Sequence, residues 1–377
     1  MPDTLYTVGV PGEMPEIIDF INYVFSQTKV PHDFKTLLPK VYGDRAPKGQ
    51  ESFHFLAKQN EKIVGCVACR PTRLRFGKEV LSCGYVGSVS VHRYHRGEGH
   101  MKQLMAMMLE DARKKNYDML ILGGQRQRYG YFGFEPAGMV LRFDFTKTNA
   151  RHVFGDVDAS GIGLRPLTDA DMPFALKLWQ KQTVGSLRET DTFIDELRSW
   201  DQKPLGITVN GEFAGYFAGG ELVLQDENLL PKALKAIMDS RSEYALPLVA
   251  GLHEKQRIAY LSGICESAAL GRKAMINVLN WPRVLKTLIE FKHSYVNPVN
   301  DCAFALDIAG DGVFDVKVRD GRAEVKTLAA APETAVKLSH SEAQRLLFGI
   351  AEMYTNGKGI DSSCQGLPFY MSEQDAF

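Results

Sequence analysis

The sequence predicts an α/β fold divided among more than one domain. The chain has 377 residues, which is more than a single hydrophobic core usually serves. Strand-like and helix-like apolar patterns alternate along it, as is typical of mixed sheets flanked by helices. The stretch "DMLILGG" at 118–124 is almost continuously apolar, which favours a buried strand with a parallel neighbour.

The first 145 residues alternate strands and helices in the order β-α-α-β-β-β-α-β-α-β. Apolar periodicity, hairpin signals and glycine stops define each element. The predicted elements are a strand at 4–10, helices at 13–27 and 34–41, a hairpin at 52–76 turned at 59–61, a strand at 83–91, a helix at 100–115 with Leu104, Met107, Met108 and Ala112 inward, a strand at 118–124, and a short helix, glycine stop and strand at 128–138.

The remaining chain reads as two further units. The segment 149–161 is interpreted as a linker, and the strand, helix and hairpin that follow echo the first unit without its Arg/Gly-rich turn. A third unit has alternating strands at 302–328 and a helix at 339–354, capped by Ser339 or Ser341. We therefore predict domains at 1–148, 149–272 and 273–377. The apolar tail at 367–377 is expected to dock on the protein.

Charge and composition exclude several classes. Lys plus Arg and Asp plus Glu both number 45, so a nucleic-acid partner is not expected. No apolar run approaches the roughly 18 residues that span a bilayer, and the N-terminus lacks secretory features, so a cytoplasmic protein without a membrane partner is expected. Cys66 and Cys69 form a CxxC inside a strand, which favours buried free thiols over a redox or metal site.

The stretch "VGSVSVHRYHRGEGHMKQLM" at 86–105 contains the main functional signal. The dinucleotide-binding fingerprint fails because Lys102 occupies its third glycine position, and the P-loop pattern fails because Glu352 stands where its first glycine belongs. What remains is a glycine turn between a strand and a helix, where free N–H groups and Arg96 favour a phosphate. The residues alone support phosphate binding and a plain glycine turn with a solvated arginine equally.

Two motifs together resemble the GNAT superfamily of acetyl-CoA-dependent N-acetyltransferases. Arg96-Gly97-Glu98-Gly99-His100-Met101 is similar to the family's Arg/Gln-x-x-Gly-x-Gly/Ala motif, and "YGYFGFEPAG" at 129–138 is similar to its later tyrosine segment. Over the whole chain the three units resemble the Eis (enhanced intracellular survival) acetyltransferases. That resemblance implies a catalytic GNAT domain with a mixed sheet, a degenerate GNAT-like domain and a sterol-carrier-protein-like α+β domain (SCP2-like).

The resemblance also implies roles for individual residues. The backbone of Val89 and Val91 is expected to hold the pantetheine arm and thioester, and residues 96–101 the pyrophosphate. Tyr129 is expected to protonate the leaving thiolate, with Tyr131 as its nearest rival. The α-carboxylate of Phe377 is expected to accept the proton of the amine.

The predicted activity is direct acetyl transfer to a primary amine in a ternary complex. The acceptor is a small molecule or a lysine, with aminoglycosides and polyamines as candidates, and acetyl-CoA is the co-substrate with no metal. A non-catalytic acyl-CoA sensor and a carrier of an apolar ligand in the third domain are the alternatives. The resemblance further implies a homo-oligomer, with a hexamer as the candidate assembly.

Overall fold

The computed structural model describes residues 3–28, 30–241, 245–272, 274–295, 298–350 and 359–377. The helices and strands are given for three successive parts of the chain. The first part, residues 3–146, contains β1 (Thr4–Val8), α1 (Met14–Phe25), α2 (Phe34–Leu37), α3 (Pro39–Tyr42), β2 (His54–Gln59), β3 (Lys62–Phe76), β4 (Glu79–Val91), α4 (His100–Lys114), β5 (Met119–Leu122), α5 (Arg126–Tyr129), β6 (Glu135–Ala137) and β7 (Val140–Thr146). The second contains α6 (Lys147–Val153), β8 (Ile162–Pro166), α7 (Met172–Gln180), β9 (Val184–Ser186), α8 (Thr190–Arg198), β10 (Leu205–Val209), β11 (Glu212–Ala218), β12 (Glu221–Leu224), α9 (Leu230–Ser240), β13 (Ala245–Gly251), α10 (Lys255–Ile264) and β14 (Ser267–Gly271). The third contains β15 (Ala274–Val278), α11 (Trp281–His293), β16 (Cys302–Ala309), β17 (Gly312–Arg319), β18 (Arg322–Leu328), β19 (Val336–Ser339) and α12 (His340–Phe348).

These strands form mixed sheets flanked by helices, so the predicted fold class is confirmed. The largest sheet has the order β1-β2-β3-β4-β5-β15-β6, with β9 added to β3. Its β4–β5 pair is parallel, as the continuous apolar text of β5 predicts, and all four residues of β5 are buried. The other sheets have the orders β12-β11-β10-β8, β13-β7-β14 and β18-β17-β16-β19.

Strand pairing crosses both predicted domain boundaries. β7 precedes position 148 but pairs with β13 and β14, which lie in the second predicted domain. β15 follows position 272 but lies between β5 and β6 of the first sheet. The boundaries at 148 and 272 stay predictions, and each of them separates strands that share a sheet.

Three local predictions differ from the structure. The helix at 34–41 is two single turns, because Pro39 begins a new helix and disfavours helical geometry at Leu38. α6 (Lys147–Val153) covers the first five residues, 149–153, of the predicted linker, and the Thr146 side chain caps its first turn. On α4 the buried face includes Met105, whereas Met107 is only half-buried.

Several predictions at the ends of elements are confirmed. The hairpin between β2 and β3 turns at Asn60 and Glu61, both with positive φ. Ser339 caps α12 and forms a capping box with Glu342, while residues 351–354 of that predicted helix lie outside the described residues. The tail docks as expected, with Leu367, Phe369 and Met371 buried in the core that α11 and the last sheet share. No helix in the described ranges is long and apolar enough to cross a membrane.

Candidate active site

The site is built on an open edge of β4. β4 pairs with β5 only from Cys83 to Val86, although β4 continues to Val91. The register with β3 also shifts here, so that two residues of β4, Ser88 and Val89, face a single residue of β3. This bulge places Ser88 in the left-handed region at φ 48°. The strand therefore turns its backbone N–H and C=O groups toward the space beside β5.

A glycine turn follows the open edge and leads into α4. Gly97 and Gly99 have φ values of 88° and 86°, and α4 begins at His100. A Cβ at either glycine would meet no atom within 4 Å, so backbone conformation rather than space requires glycine. The N-terminal N–H groups of α4 and the Arg96 side chain thus face a suitable position for an anion.

This turn lines a cavity of about 760 Å³, which we name the loop cavity. Seven of the eight residues predicted to bind the donor line it. They are Val89, Val91, Arg96, Gly97, Gly99, His100 and Met101. The sequence prediction thus brings together residues from a strand edge, a turn and a helix N-terminus, as a long phosphate-bearing ligand requires.

Glu98, the eighth residue, is not among those lining the loop cavity and bonds to the protein instead. Its carboxylate accepts a hydrogen bond from Gln59 Nε2 at 3.0 Å and lies 3.0 Å from His100 Nε2. The Gln59 hydrogen bond, with those from His95 and His100, lowers the pKa of Glu98. On its other side, His100 Nδ1 lies 2.8 Å from the Tyr6 hydroxyl. These bonds fix the glycine turn to β1 and β2.

The same cluster has the donor atoms that a metal ion requires. One ligand atom from each of His95, Glu98 and His100 lies within 4.8 Å of the others. It is the one such group found among the described residues. The contacts of His95 and His100 with Glu98 are accounted for by hydrogen bonding, and no fourth His, Cys, Asp or Glu joins the group within the part of the chain that the structure describes.

Tyr129 ends α5 and faces a second cavity, of about 390 Å³, which we name the tail cavity. Its ring packs against Gly124, where a Cβ would lie 2.4 Å from Tyr129 Cε2. Burial raises the pKa of Tyr129, and the adjacent Arg128 opposes the rise. Tyr129 therefore keeps its proton at neutral pH. Its rival Tyr131 lines the loop cavity instead and is 69% exposed.

Phe377, the last residue, lines the tail cavity together with Tyr129. Its ring covers Gly87, where a Cβ would fall 1.5 Å from Phe377 Cδ1. The rings of Tyr42 and Tyr85 lie 6.3 and 6.4 Å from it, between centroids. The Phe377 ring is thus held against Gly87, the first residue of the open strand edge, and only glycine at position 87 leaves room for it.

The two cavities adjoin. Phe25, Val89 and Arg128 line both of them, so the bulged residue of β4 separates the glycine turn from Tyr129 and Phe377. A ligand lying along β4 in the loop cavity would end beside the tail cavity.

A buried charge network holds the tail, and sequence reasoning missed it. The Asp375 carboxylate accepts hydrogen bonds from Arg188 Nε at 2.8 Å and from Ser186 Oγ at 2.5 Å. Arg188 also donates two hydrogen bonds to Glu221, which accepts a further one from Ser372 Oγ. All of these residues are buried. Because Arg188 and Glu221 lie far from the tail in sequence, only the predicted docking of the tail hinted at partners for its polar residues.

A second buried pair holds the backbone of the same segment. Lys40 Nζ donates to the Gln374 carbonyl and lies 3.4 Å from Glu196. Burial lowers the pKa of Lys40 to about 8, with Glu196 opposing the change. Burial alone would raise the pKa of Glu196, but Arg70 and Lys40 outweigh it and lower that pKa to about 2. The tail is therefore held by charged side chains from both of the first two predicted domains.

A polar chain behind the strand bulge was also missed. The Tyr42 hydroxyl lies 2.8 Å from Ser88 Oγ and 3.0 Å from His54 Nε2, and His54 Nδ1 lies 2.9 Å from the Gln50 carbonyl. Burial lowers the pKa of His54 to about 4, so the ring is neutral at pH 7. The Gln50 carbonyl needs a donor, which places the His54 proton on Nδ1. Single aromatic and histidine residues in separate elements carry no sequence signal for such a chain.

Comparisons with known proteins agree with this geometry. Residues 10–137 match the model of the acetyltransferase (GNAT) domain family. No curated protein matches the sequence. Similar solved structures include a GCN5-related N-acetyltransferase from Kribbella flavida (16% identity, TM-score 0.68) and a probable N-acyltransferase from Enterococcus faecalis V583 (16%, TM-score 0.71), each aligned over 100% of both chains. Eis1 from Mycobacterium abscessus also aligns over 100% of both chains, at 11% identity and a TM-score of 0.66. At these identities the likeness shows a shared fold, and the domain match supports acyl transfer from an acyl-CoA as the class of activity.

Proposed function

We propose that this chain, which carries a GNAT acetyltransferase domain over residues 10–137, is an acetyl-CoA-dependent N-acetyltransferase that acts on a primary amine. The junction of the two cavities carries the proposal. The glycine turn lines one cavity, Tyr129 and Phe377 line the other, and Val89 lines both. A donor held at the turn would present its thioester beside Val89, and an amine would approach from the tail cavity.

The glycine turn and Arg96 would hold the donor. The free N–H groups at the start of α4 suit the pyrophosphate, and the Arg96 guanidinium adds charge-assisted hydrogen bonds. The open edge of β4 would pair with the amide groups of the pantetheine arm, much as β5 pairs with the earlier residues of β4. A backbone N–H at Val89 would then polarise the thioester carbonyl.

Phe377 would take the proton from the amine. A lysine-like ammonium with a pKa of about 10.4 costs roughly 4 to 5 kcal/mol to deprotonate at pH 7. A carboxylate positioned beside it accepts that proton directly or through a water molecule. The neutral amine nitrogen then forms a bond to the carbonyl carbon, and the carbon–sulfur bond breaks.

Tyr129 would give a proton to the departing sulfur. A thiolate has an ordinary pKa of about 8.5, so protonation makes it a better leaving group. The buried and protonated state of Tyr129 supports this role. Transfer is direct, because the amine and the donor occupy adjoining cavities and no covalent enzyme intermediate is required.

Calorimetry with acetyl-CoA, followed by a thiol-release assay with a panel of amines, tests the proposal. We expect binding below about 1 mM and thiol release with at least one amine. Absence of binding at that concentration would refute donor use. Binding without turnover on any amine would favour the sensor, and co-purified lipid without coenzyme A would favour the carrier.

A further inference from the structure

The lining of the tail cavity is aromatic and almost free of charge. Six of its residues are aromatic: Phe25, Phe34, Tyr85, Tyr129, Trp200 and Phe377. Arg128 is the one charged side chain among the residues that line it, and no Asp or Glu side chain is among them. The one anion available at this cavity is the Phe377 carboxylate, to which the proposed function assigns the role of base.

Carboxylates close to the cavity already have partners. Asp375 binds Arg188 and Ser186, and Glu196 binds Arg70 and Lys40. Each carboxylate is already neutralised by a buried or half-buried cation, although Asp375 Oδ2 and Glu196 Oε2 accept no hydrogen bond. A polyamine or an aminoglycoside carries several ammonium groups, and each one buried beyond the first would lack a counter-charge and would face Arg128.

We propose that the acceptor is a monoamine with an apolar body of aromatic size. This inference rests on the proposed function and specifies its substrate class. The single carboxylate suits one ammonium group, and the rings stabilise that cation through their faces before it loses its proton. The apolar body then removes aromatic surface from water. A volume of about 390 Å³ lies at the small end of the range for ligand pockets.

Trp200 is the residue that sets this preference. It has φ 61° and the following Asp201 has φ 56°, so two successive residues other than glycine occupy the left-handed region. A hydrogen bond from the Trp200 N–H to the Leu37 carbonyl, 2.6 Å long, holds this conformation. Strained backbone that its surroundings hold in place is commonest at functional sites.

Trp200 comes from outside the matched acetyltransferase domain. It follows α8 in the second predicted domain, yet its indole lines the tail cavity and is 39% exposed. The other two tryptophans, Trp179 and Trp281, are 3% and 1% exposed. The second domain therefore supplies an accessible aromatic wall to a site whose donor side belongs to the first.

Kinetics with 2-phenylethylamine and spermidine test the substrate class. We expect kcat/KM for 2-phenylethylamine to exceed that for spermidine by about tenfold or more. Trp200→Ala should lower kcat/KM for 2-phenylethylamine by about tenfold, mainly through KM, and should lower kcat/KM for spermidine by a smaller factor. Trp200→Phe should retain most of the activity. Phe174→Ala, which removes an aromatic ring that is 61% exposed and outside the cavity, is the matched control.

The opposite preference, or an equal loss for both amines in Trp200→Ala, overturns the inference. A fluorescence titration separates this failure from failure of the proposed function, because it needs no turnover. Addition of 2-phenylethylamine should change the emission of the wild-type protein and of Phe174→Ala, but not that of Trp200→Phe. If spermidine alone supported thiol release, and 2-phenylethylamine caused no fluorescence change, acetyltransferase activity would be retained as the function and the monoamine substrate class would be rejected. Loss of acetyl-CoA binding would reject the acetyltransferase, while the titration would still decide whether the tail cavity binds the amine.

Discussion

Arg188 and Asp375 lie 187 positions apart in sequence and form a fully buried ion pair, with Nε donating to Oδ1 at 2.8 Å. The pair joins the strand-β9 region to the third residue from the C-terminus. Glu221 accepts two hydrogen bonds from the other edge of the guanidinium, and the centroid of the Trp179 ring lies 3.7 Å from its central carbon. The position of Phe377 therefore depends on an arginine from the second predicted domain.

Asp375→Asn should weaken both folding and catalysis. The substitution removes one of the two carboxylates that neutralise Arg188. Breaking a buried ion pair in this way typically lowers the free energy of unfolding by about 3 to 5 kcal/mol. Urea unfolding measures that loss, and kcat should fall while the affinity for acetyl-CoA is retained. Asp239→Asn is the control, because Asp239 is 66% exposed in its pair with Lys235, and such a surface pair contributes less than about 1 kcal/mol. A catalytically normal and stable Asp375→Asn would show that the pair does not position the tail.

Removal of Phe377 tests its carboxylate separately from its ring. Deletion moves the terminal carboxylate to Ala376, so kcat should fall by about 100-fold or more with donor affinity unchanged. Phe377→Leu keeps the carboxylate in place and should lose much less. Gly87→Ala should resemble the deletion, because its methyl group would overlap the Phe377 ring. Equal activity in the deletion variant and the wild type would remove the base from the mechanism.

The sequence brought together more of the residues that line the loop cavity than of those that line the tail cavity. Arg96, Gly97 and Gly99 lie together because they fall within four positions of the chain, and both glycines have positive φ values. Val89 and Val91 were implied by the family resemblance, on the strand that leads into that turn. Local patterns suffice where a site is built from one stretch of chain.

Long-range polar contacts were beyond prediction for a physical reason. Trp200, Arg188 and His54 come from three separate parts of the chain. Each of them has an ordinary sequence context. Their positions depend on tertiary packing and, at Trp200, on a backbone conformation that residue type disfavours. The same limit applies to β7, which pairs with β13, and to β15, which pairs with β5, since pairing between strands so far apart in sequence has no local signal.

Arg96→Gln should weaken donor binding with little effect on chemistry. Charge-assisted hydrogen bonds contribute about 1.5 to 3 kcal/mol each, so the Kd for acetyl-CoA should rise by roughly tenfold to 100-fold. Calorimetry gives the Kd, and kcat at saturation should stay close to the wild-type value. Arg93→Gln is the control, because Arg93 stacks on Tyr94 outside the loop cavity. Equal affinities in the two variants would assign the phosphate to the backbone alone.

Tyr129→Phe should lower kcat by about 100-fold to 10,000-fold, since it removes the proton donor but keeps the ring that packs on Gly124. The affinity for acetyl-CoA and the urea midpoint should remain near the wild-type values, which distinguishes a chemical role from a packing role. Tyr131→Phe decides between the two tyrosines. A larger loss of kcat in Tyr131→Phe than in Tyr129→Phe would transfer the acid role to Tyr131.

His54 should make the folded protein sensitive to mild acid. Its pKa is about 4 in the folded state, because burial disfavours the charged ring, and about 6.5 when unfolded. The unfolded chain therefore binds a proton that the native state does not, and stability falls as the pH drops from about 6.5 to 4. The difference corresponds to as much as about 3 kcal/mol.

Urea unfolding at a series of pH values checks this dependence. His54→Asn should be less stable than the wild type at pH 7, since it breaks the hydrogen bonds to Tyr42 and Gln50, but its stability should vary less between pH 6.5 and 4. His152→Asn, at an exposed position, should keep the wild-type dependence. If the stability of His54→Asn fell with pH as steeply as that of the wild type, the acid sensitivity would belong to other groups. Protonation of His54 would then not be what couples the strand bulge at Ser88 to pH.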